Sequence, residues 1–278
     1  GATANDNVDG DLTNQIQTTG AVDTNTVGSY TITYSVSDMA GNAATEVSRS
    51  VFVMPKVPPL NDTGITFGAN YPTGNNGTCI GETVSEQDCS HGRDAQAAAG
   101  TLTKIGTGRA GFDFTRLNAD GTTYTGDGNY ATTPWACVKD NHTDLIWEVK
   151  TPAGSGDIHR AINTYRWGGK TALLNGAFGA AYNDWDTLVD GSNSASLCGF
   201  NDWRVPSRKE LRSIVNYGQT NPNIDQNLFP NSVSDYYWSA SPFNYSAINA
   251  WIVDFGGGGG GAGNRDGHSH VRLVRSGQ

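Results

Sequence analysis

The sequence predicts an α+β domain preceded by a small all-β domain. Residues 1–55 alternate apolar and polar side chains over strand-length stretches, as half-buried antiparallel strands do. Residues 56–62 lie within PKVPPLNDTG, whose three prolines are typical of an extended, semi-rigid linker. Residues 63–278 combine short strand-like stretches and long irregular segments with two clear helix signals. These three observations set the expected domain limits.

Composition narrows the classes of function. The charged fraction is 16% and the formal net charge is −9, which argues against nucleic acids, anionic membranes and sulfated polysaccharides as main partners. The sequence holds no run of 18 apolar residues, so we expect no membrane-spanning segment. It begins GATANDNVDGDLT, with neither Met nor a signal peptide, and we expect it to be an excerpt from a longer protein.

The first domain is predicted from its strand alternation. SYTITYSVSD places Tyr30, Ile32, Tyr34 and Val36 on one face of a strand, DMAGN follows as a turn, and SRSVFVM supplies the closing strand. A small antiparallel sandwich is therefore expected over residues 1–55.

The motif DNVDGD invites a calcium interpretation. Asn5, Asn7, Asp9 and Gly10 match the first half of an EF-hand loop, but the twelfth position is Ile16 instead of a bidentate Glu. Turns rich in Asn and Asp explain the same residues. A structural turn is favoured, and calcium is not indicated as a cofactor.

The second domain has two helix signals among its predicted strands. In SRKELRSIVNYG, Ser207 and Glu210 form a capping box, and Gly218 is expected to follow the helix C-terminus. The segment NDWDTLVDGSNSAS predicts a second helix. AGFDF, YATTPWACV, DLIWEVK and HSHVRLVR are the strand candidates.

The four cysteines are Cys79, Cys89, Cys137 and Cys198, and none forms a CxxC pair. This spacing weakens zinc and redox interpretations, and the even number favours two disulfides in an oxidising compartment. We expect Cys79 to pair with Cys89 and Cys137 with Cys198, although three connectivities remain open.

Several candidate sites are weighed against simpler interpretations. Asp266, His268 and His270 suggest a metal site, but no further ligand stands at suitable spacing, so solvated loop residues are favoured. Six consecutive glycines, 256–261, look like a linker and match GxGxxG trivially. A dinucleotide site needs a following helix, and a strand is predicted there instead.

The sequence contains no GxSxG nucleophile signature.

The aromatic residues of the second domain have two interpretations. Asp202, Trp203 and Arg204 precede the capped helix and fit either a site or a buried Trp with an ion pair, and the structural role is favoured. The aromatic residues of DYYWSAS and NAWIVDF are likewise favoured as core over a sugar platform, with either Tyr236 or Tyr237 facing outward.

Longer phrases carry a family resemblance. WACVKDNHTDLIWEVKT, CGFNDWRVPSRKELRSIV, YYWSASP and VRLVRSGQ resemble the C-terminal domain family of the Legionella collagen-like adhesin, over roughly residues 58–278. Asp144 and Val205 stand where that family usually has Gly and Leu. The resemblance implies a C-type-lectin-like fold, secretion or surface display, and ligand binding instead of catalysis. DNVDGDLT, VGSYTITYSVSDMAGN and RSVFV resemble a bacterial Ig-like repeat that normally has one or two earlier strands, so a truncated sandwich is expected.

The same fold is used by variable proteins of diversity-generating retroelements, in which template adenines are randomised, mostly at AAC codons. Lys, Glu, Gln, Met and Trp are then out of reach, and from Ser241 to His270 every residue except Trp251 is reachable. Because the excluded residue types are scarce throughout the chain, their absence from this stretch is only a modest indication that it is variable. Repeated glycine is an easy product of this process, and the segment lies where such proteins vary. We therefore expect a variable region at about 237–278.

The resemblance implies a division between variable and scaffold positions. The expected scaffold comprises Trp203, Trp238, Trp251 and Phe255, helped by Val253, Val271 and Leu273. Ile252 and Asp254 are expected to point opposite to Trp251. The expected ligand-binding positions are Phe243, Asn244, Tyr245, Ser246, Ile248, Asn249, Ile252, Asp254, Gly256, Gly257, Asn264, Asp266, His268 and His270.

The preferred interpretation is a surface-displayed, non-enzymatic protein with a hypervariable binding surface and no cofactor. Its ligand would be a protein or glycan on another cell, phage or surface. A fixed glycan or glycosaminoglycan adhesin is the first alternative, although Arg265, Arg272 and Arg275 are the only basic group noted for it. A formylglycine-generating-type enzyme is the second, and it would need reactive cysteines. A glycine-rich copy is expected to bind weakly, because it presents few side chains on a loop that must be ordered.

Overall fold

The computed structural model describes residues 2–24, 28–53, 61–70, 74–77, 87–170, 172 and 182–277. The chain divides into two compact units, Gly1–Val57 and Pro58–Gln278. The division falls inside the segment predicted as the linker, and each unit is described by itself.

The first unit is built of antiparallel strands. They are β1 (Asn5–Asp6), β2 (Gly10–Asp11), β3 (Gln17–Thr19), β4 (Gly28–Ser35) and β5 (Val47–Val53), which pair as β1–β2 and as β3–β4–β5. Leu12 and Ile32 are the buried apolar residues among those described in this unit. In the DNVDGD motif, one carboxylate oxygen of Asp6 accepts hydrogen bonds from the backbone N–H groups of Val8 and Asp9, at 2.7 and 2.9 Å. This is the turn chemistry that the sequence favours over calcium.

The second unit mixes helices with antiparallel sheets. Its strands are β6 (Gly68–Asn70), β7 (Gly74–Asn76), β8 (Phe114–Leu117), β9 (Cys137–Asp140), β10 (Leu145–Glu148), β11 (Tyr236–Pro242), β12 (Asn249–Asp254), β13 (Gly260–Asn264) and β14 (Val274–Ser276). Its helices are α1 (Gly92–Ala98), α2 (Asp186–Ser194) and α3 (Arg208–Arg212). The sheets have the orders β14–β10–β9–β8, β11–β12–β13 and β6–β7. The predicted α+β class is confirmed at this level.

Two hydrophobic cores lie on opposite faces of the four-stranded sheet. Leu145 and Trp147 of β10 belong to one core, whereas Ile146 belongs to the other. The three-stranded sheet divides in the same way, since Tyr237 packs in the first core and Trp238 in the second. Strands buried on both faces carry continuous apolar runs, which is why LIWEV shows no alternation.

The helices differ in part from the prediction. The capping box is present, with the backbone N–H of Glu210 donating to Ser207 Oγ and that of Ser207 donating to the Glu210 carboxylate. Helix α3 ends at Arg212, so the expectation that Gly218 follows its C-terminus is wrong. Helix α2 was predicted, but α1 adds a third helix where its sequence, GRDAQAA, gave no clear periodic apolar stripe.

The disulfide between Cys137 and Cys198 is formed, and both residues are completely buried. It links β9 to the segment after α2 inside the second core. Cys89 is also buried, but Cys79 lies outside the described residues, so the pairing of these two stays a prediction. None of the described cysteines is free.

A buried charge network ties β10 to the C-terminal segment. The Glu148 carboxylate accepts from Lys150 Nζ at 2.8 Å, from His159 Nδ1 at 2.7 Å and from the backbone N–H of Leu273 at 2.8 Å. The Arg272 guanidinium donates to the backbone oxygen of Glu148 at 2.6 Å. Burial by itself would raise the pKa of Glu148, but the Lys150 ammonium and the His159 hydrogen bond hold this pKa at about 2.

The depressed pKa of Glu148 predicts a loss of stability in acid. Its folded-state pKa lies below the ordinary value, so the stabilisation is complete above pH ~4.5 and is lost as the pH falls towards 2. The expected loss is on the order of 3 kcal/mol of unfolding free energy. Urea unfolding of wild type and of Glu148→Gln, measured from pH 6 to 2, checks this. A variant with the same pH slope as wild type would contradict it.

Candidate functional site

The glycine run is an ordered turn and strand, not a linker. Asp254 organises the turn, because its carboxylate accepts from the backbone N–H of Gly256 at 2.7 Å. Its backbone oxygen accepts from the N–H of Gly258 at 2.8 Å, and its own N–H donates to the oxygen of Gly259 at 2.9 Å. Gly258 has φ +76°, a conformation that favours glycine. Gly260 then begins β13.

The inner face of the three-stranded sheet is closed by a tryptophan. Trp238, Ile252 and Gly261 lie opposite one another across β11, β12 and β13, and Trp238 and Ile252 belong to the second core. A Cβ atom on Gly263 would lie 2.7 Å from the Trp238 ring and 3.0 Å from the Ile252 side chain. Gly263 is therefore fixed as glycine by the core, not by surface chemistry.

The outer face is centred on Trp251, which is half-buried and lies opposite Ala262. The Arg208 guanidinium covers its ring at 3.5 Å from the centroid, and the Phe243 ring packs edge-on at 4.7 Å. Phe243 in turn contacts the Tyr245 ring at 5.6 Å. We call this set of residues the Trp251 surface: Arg208, Phe243, Tyr245, Trp251, Gly260 and Ala262.

The loop between β11 and β12 is anchored at its base. Phe243 N–H donates to the oxygen of Asn249 at 3.2 Å, and Arg265 N–H donates to the oxygen of Ile248 at 2.9 Å. The Nε atom of Arg265 donates a second hydrogen bond, to the backbone oxygen of Asn249 at 3.1 Å. Above these bonds, Tyr245 and Ile248 are 83% and 61% exposed. The loop thus presents two large apolar side chains from a hydrogen-bonded base.

The predicted ligand-binding positions fall into two groups. The structure places most of them at exposed or half-exposed positions of the loop, the turn and the segment after β13. These are Phe243, Asn244, Tyr245, Ser246, Ile248, Asn249, Asp254, Gly256, Gly257, Asn264, Asp266 and His268.

The structure corrects the expected exposure of Ile252 and His270. Ile252 is 9% exposed and packs in the core with Trp238, so the side of β12 open to solvent is the one that carries Trp251. His270 is 5% exposed, and its Nδ1 lies 3.0 Å from the backbone oxygen of Asn163. Burial lowers the pKa of His270, as expected for an imidazole held away from water.

The expected scaffold residues are placed differently from one another. Trp203, Trp238 and Phe255 are 1% exposed. The indole N–H groups of Trp203 and Trp238 donate to the backbone oxygens of Leu197 and Tyr165, at 2.9 and 2.7 Å. Trp251, by contrast, is half-buried. Its ring packs against Arg208 and Phe243, so Trp251 holds these side chains in place and is itself part of the surface.

Asp266 and His268 do not come together with His270 in a metal site. Asp266 is exposed and accepts a hydrogen bond from the Tyr182 hydroxyl, while His268 lies near the paired side chains of Asp184 and Arg166. This outcome agrees with the favoured interpretation for Asp266 and His268 as solvated loop residues.

The structure also contains a cluster of three aspartates that the sequence did not predict. Asp62, Asp88 and Asp94 have carboxylate oxygens within 4.8 Å of one another. Asp94 is completely buried and accepts from the backbone N–H groups of Gly64 and Gly111 at 2.7 and 2.6 Å. Burial and the neighbouring Asp62 carboxylate raise the pKa of Asp94. These bonds give the cluster a role in fixing loops.

Arg208 is a member of the Trp251 surface that no pattern in the sequence predicts. It is the first residue of α3, and its backbone N–H donates to Ser241 Oγ at 3.1 Å. The capping box at Ser207 predicts the start of the helix. The contact between Arg208 and Trp251, however, joins segments more than forty residues apart in sequence. No local pattern carries that information.

Comparisons with known proteins place these features in a family. Residues 136–275 match the sequence model described as Lcl C-terminal domain, which is just over half of the chain. The chain belongs to the Lcl C-terminal domain family. Residues 1–53 match the Ig-like domain of bacterial surface proteins. No curated protein matches the chain. No solved structure matches it either.

The two matched domains are of the surface binding or adhesion type, and neither is an enzyme family. A surface Ig-like domain and a formed disulfide are features of an extracellular or surface location. Among the described residues, no helix has both the length and the apolar character needed to cross a membrane.

The Lcl C-terminal domain should tolerate side chains unequally along β13. Gly263→Val is expected to lower the unfolding free energy by about 1–3 kcal/mol, because its Cβ would overlap Trp238. Gly261→Val is the matched control, since a Cβ there meets no atom within 4 Å, and a change below ~0.5 kcal/mol is expected. Urea unfolding of both variants checks this, and equal losses would contradict it.

Proposed function

We propose that this chain is a surface-displayed binding protein whose C-terminal domain has a C-type-lectin-like fold and presents the Trp251 surface with the β11–β12 loop to a ligand. The observation that carries the proposal is the exposure of Tyr245 and Ile248 on a loop whose base is hydrogen-bonded. Large exposed apolar side chains beside a half-buried Trp are the usual composition of a binding surface. The ligand is a protein or glycan on another cell, phage or surface.

We further propose that this surface is diversified, as in variable proteins of diversity-generating retroelements. Support comes from the separation of open and closed positions. A Cβ atom on Gly259 or Gly261 meets no atom within 4 Å, whereas one on Gly258 or Gly263 would contact Tyr217 or Trp238. Substitution at the open positions leaves the core unchanged, so the surface can vary while the fold persists.

The fixed glycosaminoglycan adhesin is less well supported by the geometry. Arg265, Arg272 and Arg275 are only 2%, 0% and 4% exposed, so they form no basic groove for a sulfated chain. Arg275 is already paired with Asp202 at 2.6 Å. A formylglycine-generating-type enzyme needs reactive thiols, and none of the described cysteines is free.

A pair of display libraries tests the binding surface. In the first, the full chain is randomised at Tyr245, Ile248, Gly259 and Ala262, which are exposed. In the matched control, the exposed positions Ile105, Gly154, Gly156 and Ile162 are randomised instead. Selection on immobilised hen lysozyme, chosen as an arbitrary protein, is expected to enrich binders at least tenfold more from the first library.

The unmodified chain is expected to bind lysozyme weakly, because its glycines present few side chains. Equal enrichment from both libraries would contradict the proposed location of the binding surface. Folding is checked in both libraries by expression level and protease resistance, so a failure to fold is not mistaken for a failure to bind.

The DNA next to the gene tests diversification. A near-copy of the final codons is expected there, differing mainly at adenines, together with a reverse-transcriptase gene. Sequencing the flanking region checks this. Substitutions spread equally over all four bases, or no near-copy at all, would leave a surface that does not vary by this mechanism.

A further inference from the structure

The three-stranded sheet has one covered edge and one open edge. Along β11, Trp238 N–H donates to the oxygen of His270 at 2.8 Å, and His270 N–H donates to the oxygen of Tyr236 at 2.9 Å. The other edge is β13, where Gly260 and Ala262 are exposed. In the part of the chain that the structure describes, no backbone group outside the strand pairing donates to or accepts from these two residues.

Two hydrogen bonds fix which backbone groups of β13 point outward. Asp254 N–H donates to Gly259 at one end, and Arg265 N–H donates to Ile248 at the other. Hydrogen-bonded and non-hydrogen-bonded pairs alternate along an antiparallel ladder. Gly261 and Gly263 therefore bond to β12, and the N–H and C=O groups of Gly260 and Ala262 point away from the sheet.

This edge lacks the usual protection against pairing with another chain. Natural edges are blocked by Lys, Pro, inward charges, bulges or a covering segment. The sequence of β13 is GGAGN, and its pairing with β12 is regular over all five residues. With almost no side chains, an approaching backbone meets little steric resistance.

Arg208 adds a charged group beside the same edge. The Nε and Nη2 atoms of its guanidinium each lie 3.9 Å from the position that a Cβ atom on Gly260 would occupy. Nε is buried and has no hydrogen-bond partner among the described residues. The ion pairs found within those residues do not include Arg208.

Two other arginines show what this edge of a guanidinium binds in the same protein. Arg166 donates from Nε and Nη2 to the two oxygens of Asp184, at 2.8 and 3.0 Å. Arg275 donates from the same two atoms to Asp202, at 2.6 and 3.2 Å. At Arg208 the corresponding position lies over Gly260, and the ion pairs within the described residues place no carboxylate there.

We propose that β13 accepts an extended segment of a partner protein as an additional strand, and that an acidic side chain of this segment pairs with Arg208. Side chains opposite each other on neighbouring strands have Cβ atoms about 4.5–5.5 Å apart. An Asp or Glu opposite Gly260 therefore reaches the guanidinium. The remaining side chains of the segment are not acidic, because the net charge of −9 disfavours a strongly acidic partner.

The inference rests on the proposed function and names the class of ligand. Strand addition takes its affinity from main-chain hydrogen bonds and its specificity from alternate side chains. A polysaccharide has no ladder of alternating N–H and C=O groups, so an open strand edge favours a peptide over an acidic sugar chain.

A peptide selection tests the inference. Phage-displayed random ten-residue peptides are selected on the full wild-type chain, and the winners are synthesised. Enrichment of peptides with one Asp or Glu among β-forming residues that are not acidic is expected. Arg208→Gln should weaken their binding at least tenfold, whereas Arg212→Gln, on the exposed side of the same helix, should change it less than twofold.

The backbone contribution is measured separately. Ala262→Pro removes one outward N–H group while leaving the bonds to β12 intact, and it should abolish binding. Because this variant could fail to fold, its melting temperature is measured. N-methylation of alternate peptide amides is tested on the wild type and should have the same effect.

Three results would overturn the inference. They are no enriched peptide, binding that is unaffected by both backbone changes, and Arg208-dependent binding of alginate without peptide binding. If lysozyme binders emerge from the surface library but no peptide is enriched here, the proposed function stands and strand addition fails. If neither selection succeeds, both fail.

Discussion

The burial of β10 on both of its faces is the constraint on which the second unit depends. Leu145 and Trp147 face one core and Ile146 faces the other, so every strand beside β10 must supply apolar groups in two directions. The one ionised residue on this strand, Glu148, is completely buried and would be unfavourable without partners. Its bonds to Lys150, His159 and the backbone of Leu273 hold the C-terminal segment against β10.

Packing in the second core also restricts the edge strand β13, through the side chain of Trp238. This ring fills the second core and leaves no room for a side chain on Gly263, two strands away. On the opposite face of the sheet, Trp251 is held by Arg208 and Phe243 and remains half-buried. On the edge strand, Gly263 is therefore fixed by the core, whereas a Cβ atom on Gly261 meets no atom within 4 Å. A side chain at Gly261 is therefore expected to disturb the core less than one at Gly263.

Local signals in the sequence were sufficient for the elements whose cause is local. The capping box at Ser207, the helix after Trp185 and the turn around Asp6 each depend on residues within a few positions, and each is present. The orientation of Ile252 was not predictable in this way. Alternation gives the phase of a strand, but where both faces are packed it does not show which face meets solvent. The contact between Arg208 and Trp251 depends on the packing of α3 on the sheet, which no local pattern encodes.

The glycine run has a different energetic meaning once its structure is known. A flexible loop must lose backbone entropy on binding, and glycine loses the most. Here the carboxylate of Asp254 fixes the turn, and the ladder with β12 orders Gly260–Asn264 before any ligand arrives. The entropy is lost on folding, so the remaining weakness of a glycine surface is its lack of side chains. A ligand that bonds to the backbone avoids that weakness, because the absence of side chains is what exposes the N–H and C=O groups of Gly260 and Ala262.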